Sequence, residues 1–113
     1  MSAETQLEPI LVRRAFAGAY SEENLKLLSE YVQKNININW PRLLYTLAKK
    51  TLKEYGIPED LAHQEAMKVE FEILSSVAKD HMFIGKTQDF AFYKYGVKQL
   101  IKNKIRRDKR YER

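Results

Sequence analysis

Residues 90–113 read FAFYKYGVKQLIKNKIRRDKRYER. The stretch opens in aromatic rings and closes in cations, and its periodicity decides what fold to expect. Phe90, Tyr93, Val97, Leu100, Ile101 and Ile105 recur at helical steps, so a helix over 88–110 would bury them on one side. Phe92, Tyr95, Gln99, Lys102, Arg106 and Arg110 follow steps of 3, 4, 3, 4 and 4 and line the other side. From about Asp108 the chain reads as a charged tail.

The preceding segments repeat the helical pattern. Ser21 followed by Glu22 and Glu23 is an N-cap with an acidic first turn, and a helix is expected over 22–35. The run NININ breaks it. Trp40-Pro41 restarts the chain, because Pro at the first helical position is already in the right conformation. From 41 to 55, Leu44, Leu47, Ala48 and Tyr55 share a face, and Gly56 ends the helix. The segment 58–80 has two apolar stripes, Ala62, Ala66, Val69, Ile73 and Val77 on one side and Met67, Phe71, Leu74 and Ala78 on another. A helix apolar on two sides needs neighbours on both and belongs near the centre of a bundle. KDHMFIGKT is expected to be a loop, with Gly85 as hinge and Thr87 as the next cap. Residues 1–20 form an N-terminal arm readable as a short strand or a ragged helix. The expected fold is therefore all-α, a compact bundle of about four helices spanning 21–113 as a single domain.

Bulk composition agrees. A chain of 113 residues, 44% of them hydrophobic, suits one core. Four Gly and three Pro leave helices largely uninterrupted, and the lack of cysteine fits a cytoplasmic protein without disulfides. No apolar run approaches the roughly 20 residues that cross a bilayer, so a soluble protein with no membrane partner is expected.

The net charge is +5, and residues 98–113 hold eight cations against two acids, so the other 97 residues sum to −1. A localised positive segment is the footprint of a phosphate-binding surface, or else of a solubilising tail. The rings suit single-stranded nucleic acid, whose bases stack on aromatic side chains while cations hold phosphates. Gln99 has the amide that bonds adenine bidentately. On the competing reading, Phe92 and Tyr95 cover a neighbouring helix and the cations only extend to solvent.

Catalytic and metal patterns are missing. His63 and His81 stand apart, no glycine-rich loop exists, and neither a zinc spacing nor a nucleophile–base pair is recognisable. His63 reads as a satisfied or solvent-facing helix residue. Ser75 and Ser76 read as helix-surface residues, and Glu65, Glu70 and Glu72 as acids that solvate or pair on a helix surface. No catalysis, cofactor or metal is expected.

YTLAKKTLKEYGIPEDLAHQEAMKVEFEILSSVAK and FAFYKYGVKQLIKNKIRRDKR together resemble region 2 of bacterial sigma factors over residues 41–110. They are also similar to the reduced sigma factors of phage late transcription. The family's Asp-Leu-x-Gln-Glu motif appears with one additional residue, as Asp60-Leu61-Ala62-His63-Gln64-Glu65. Where family members often carry tryptophans in the melting segment, this chain has Phe92 and Tyr95. The resemblance implies a transcription initiation factor without catalytic activity. Asp60, Gln64, Glu65 and Lys68 would bind the clamp coiled coil of RNA polymerase. Phe92 and Tyr95 would assist melting of the promoter −10 element, Gln99 would contact it, and Lys98, Lys102, Arg106 and Arg107 would hold phosphates. No −35-reading domain is expected, so a companion protein would supply upstream promoter contacts. The alternative is a small helical interaction module, a regulator or assembly factor, that docks its basic last helix on an acidic partner.

Overall fold

The computed structural model describes residues 3–107, with side chains from Ile10 onward. Five α-helices follow one another: α1 (Ala3–Ala17), α2 (Glu22–Asn35), α3 (Trp40–Glu54), α4 (Glu59–Lys79) and α5 (Phe90–Arg107). A π-helical turn, Asp80–Ile84, extends α4. The architecture is all-α, as the periodicity predicts.

Local chemistry explains the helix ends. The Ser21 hydroxyl accepts the Asn24 N–H at 3.0 Å, and Glu22 and Glu23 occupy the first turn, where the helix dipole favours negative charge. Pro41 enters α3 in its first turn. At the far end of α3, Gly56 takes φ 87°, its N–H bonds the Lys53 carbonyl at 2.9 Å, and the Ile57 N–H bonds the Leu52 carbonyl at 3.2 Å. This is a Schellman ending: glycine supplies the left-handed residue and the next side chain, Ile57, is buried. Across the turn, Glu59 binds Lys49 at 2.5 Å and Lys53 at 2.8 Å, which ties the start of α4 to the end of α3.

α4 is the central helix, touching each of the other four. Ala62, Ala66, Val69, Leu74, Val77 and Ala78 on it are fully buried, so both predicted stripes find partners. α3 and α4 are antiparallel, with Tyr45 against His63 and Lys53 against Glu59. α5 is also antiparallel to α4: Tyr93 near its start meets Asp80, and Lys104 near its end approaches Glu65. α3 and α5 therefore run side by side in one direction. Trp40 joins their starts, with ring centroids 5.5 Å from Phe90 and 5.7 Å from Tyr93.

Of the two readings of the N-terminal arm, the helix is the one found: residues 3–17 form α1, and Val12 and Ala15 on it are core residues at 2% and 0% exposure. Two expectations need correction. The expected loop at 80–87 instead starts helically, as the π-turn. That turn is pinned from two sides: the Tyr31 hydroxyl bonds His81 Nδ1, and the Tyr93 hydroxyl donates to Asp80 Oδ2. Gly85 closes it at φ 86°, with its N–H on the His81 carbonyl at 3.1 Å. Finally, the residue just before α5 is Asp89, not Thr87, and its carbonyl accepts the Phe92 N–H at 3.0 Å.

Candidate nucleic-acid interface

α5 lies at the edge of the bundle, packed on α3 and α4. Tyr93, Val97 and Ile101 are buried, and Phe90, Leu100 and Ile105 are half-buried. The predicted inward face is therefore inward. Near its middle, Gly96 faces α4, where a Cβ would meet Ile73 Cδ1 at 3.4 Å, an ordinary van der Waals contact. The Tyr93 hydroxyl also accepts the Gln88 N–H at 3.3 Å. Burial first, and then the Asp80 bond, push its pKa up to about 12, so it stays a donor across the working pH range.

On the opposite face, Phe92 is 60% exposed and Tyr95 64% exposed. Neither ring covers a neighbouring helix, although the edge of Phe92 meets Tyr93 with centroids 5.4 Å apart. Lys98, Lys102, Arg106 and Arg107 are exposed, and Gln99 is half-buried beside them. Phe92, Tyr95, Lys102 and Arg106 thus share one open face, rings toward the start of the helix and cations toward its end. Arg110 and the tail from Asp108 lie outside the described residues. Lys94 is exposed between the two rings in sequence, and the stripe reasoning passed over it.

The candidate polymerase set on α4 divides. Asp60, Gln64 and Lys68 are exposed and four residues apart, so they form a line along the outer side of α4. Glu65 is not with them. It is 7% exposed and faces α5, with carboxylate oxygens 3.7 Å from Lys68 Nζ and 3.9 Å from Lys104 Nζ. One step along a helix turns a side chain about 100°, enough to carry Glu65 from the open side of α4 to its contact with α5.

Glu70 is a second buried acid, at 8% exposure. Among the described residues it makes no ion pair or hydrogen bond, and burial raises its carboxyl pKa to about 7. Its charge is felt at Tyr20, whose pKa is raised by burial first and then by Glu22 and Glu70. Ser75 is also buried rather than on the surface, and its hydroxyl donates to the Phe71 carbonyl at 2.8 Å. Sequence reasoning missed all three because it scored these residue types as polar, while α4 has neighbours on nearly every side. Glu59 shows the opposite electrostatics. Its hydrogen bonds to Lys49 and then Lys53 hold its carboxyl down at about 2.

His63 is exposed and bonded through Nδ1 to the Tyr45 hydroxyl. Among the described residues no group of three His, Cys, Asp or Glu side chains could hold a metal ion, and no helix is long and apolar enough to cross a membrane. The chain matches no protein-family profile, no curated protein and no solved structure.

Proposed function

We propose that the protein is a sigma-like transcription initiation factor that binds RNA polymerase through α4 and promoter DNA through α5, recognising or melting the −10 element. The observation that carries this reading is the exposure of Phe92 and Tyr95 on the same face as Lys102 and Arg106. Large rings left in water beside cations form a stacking platform with phosphate contacts. Gln99, between the rings and the terminal cations, has the donor–acceptor pair to read a base edge. On α4, the exposed line Asp60, Gln64 and Lys68 supplies the polymerase contact. Glu65 acts through Lys68 and Lys104 as a positioning residue.

The test is retention of RNA polymerase by the tagged protein, followed by binding of the complex to −10-like DNA. Polymerase should be retained by wild type and retained less by Gln64→Ala. Tyr95→Ala should leave retention intact and weaken DNA binding about tenfold, the effect of losing one stacked base. Absence of polymerase retention sinks the reading. A second reading, a small helical interaction module docking its basic α5 on an acidic protein partner, draws on the exposed cations Lys98, Lys102, Arg106 and Arg107 of that helix. Retention of an acidic protein with no DNA response would favour it.

A further inference from the structure

The charge of the chain is divided by helix more sharply than the basic C-terminal segment suggests. α5 has six cations and no acid, and α3 has four cations and one acid. α4 has five acids and two cations, and α2 three acids and two cations. Since α3 lies directly beside α5, these two helices make a single positive side, and α2 and α4 supply the negative balance. The cations of α3 are far from those of α5 in sequence and join them only in the folded chain.

Within that side, some cations are committed and others free. Lys49 and Lys53 are held by Glu59. Arg42 and Lys50 are exposed and meet no acidic side chain among the described residues. They stand eight residues apart, on the outer part of α3. On α5, Lys94, Lys98 and Lys102 are all exposed and equally unpaired among the described residues. At steps of four they continue the row begun by Phe90, whose ring rests on Trp40 of α3. Like charges at this spacing repel one another, and a polyanion would relieve the repulsion. An open hollow of about 660 Å³ lies along α3, lined by Tyr45, Thr46, Lys49, Lys50 and Lys53 together with one acid, Glu54.

We infer that α3 and α5 together form a two-row phosphate-binding face for double-stranded nucleic acid, in which Arg42 and Lys50 form one row and Lys94, Lys98 and Lys102 the other. This rests on the nucleic-acid half of the proposed function and adds α3 to it. α3 and α5 are packed neighbours, and packed helices have axes roughly 8–10 Å apart, the same order as the width of a duplex major groove, about 12 Å. A lone strand needs only one row. The rings of Phe92 and Tyr95 lie on the far side of the Lys94 row, where a separated strand would leave the duplex.

The experiment is titration of the full chain with a short duplex and with a single strand across a salt series, read by fluorescence anisotropy. Circular dichroism checks that each variant is folded. Each lost phosphate contact should reduce the log–log salt slope by about 0.9 for a duplex. Arg42→Gln with Lys50→Gln should therefore flatten the duplex slope by about two and weaken duplex binding at least tenfold at roughly 0.1 M salt. The same pair should leave the single-strand slope unchanged. Lys26→Gln with Lys34→Gln on α2 removes the same charge from the other side and should change neither slope. An unchanged duplex slope in the α3 variant, or equal flattening by the α2 pair, overturns the inference and leaves the α5 reading standing. Binding to polyglutamate in place of any duplex overturns both. Duplex binding with the expected slope change, but no polymerase retention, supports this face and removes the initiation-factor reading.

Discussion

α4 and α5 lie against each other, yet they treat side chains in opposite ways. On α4, two carboxylates and a serine are buried. On α5, a phenylalanine and a tyrosine are more than half in water. Residue type alone would assign the reverse. The difference comes from neighbours: α4 is enclosed by four helices and retains only a strip of open surface, whereas α5 packs on two. Burial here follows position in the bundle. The polar groups inside α4 and the rings outside α5 are therefore the two departures that call for an explanation beyond packing.

The contrast can be broken most forcefully at Leu74, fully buried on α4. Leu74→Ala should destabilise the fold by about 2–5 kcal/mol, through lost transfer energy and the cavity left behind, as measured by urea unfolding. A loss below about 1 kcal/mol would mean that α4 is less enclosed than described. A smaller and pH-dependent effect belongs to Glu70. Its folded pKa of about 7 lies above the ordinary glutamate value of 4.5. The folded state therefore keeps its proton between those values while the unfolded chain loses it. Stability from this group should be greatest at the acidic end, fall as pH rises from about 4.5 to about 7, and then level off. Glu70→Gln should remove that slope, leaving the variant more stable than wild type at pH above 7 by on the order of 2 kcal/mol. A wild-type profile already flat over this window would show that Glu70 is paired or hydrated. The smallest effect is expected on the other side of the comparison. Phe92→Ala and Tyr95→Ala should each shift unfolding stability by no more than about 0.5 kcal/mol, because the rings cover little. A large loss in either would restore them to a packing role.

Much of this fold was legible because its signals are local. Ser21, Glu22 and Glu23 mark the start of α2, and the cap geometry follows directly. Gly56 and the double stripe of 58–80 likewise announce the end of α3 and the central place of α4. What escaped depends on contacts between distant residues. α1 has only a thin apolar face, and its place in the core comes from Val12 and Ala15 meeting the rest of the bundle. The π-turn has no local signature beyond Gly85, since it is shaped by tyrosines on two other helices. At the candidate site, the division of α5 into two faces was visible in its steps of three and four. The inward turn of Glu65 was not, because it depends on where α5 crosses α4. Nor was the contribution of Arg42 and Lys50, which requires knowing that α3 lies beside α5.

The double pinning of the π-turn has a consequence for the order of folding. Its two tethers close chain separations of 50 residues, Tyr31 to His81, and 13 residues, Tyr93 to Asp80. Closing both loops costs chain entropy before either bond forms, so the turn matures only after α2 and α5 have docked on α4. It is a late, non-local feature in a chain otherwise dominated by early, local helices. Phe83 and Ile84, which it holds outward, are therefore set in position only when both halves of the chain are assembled.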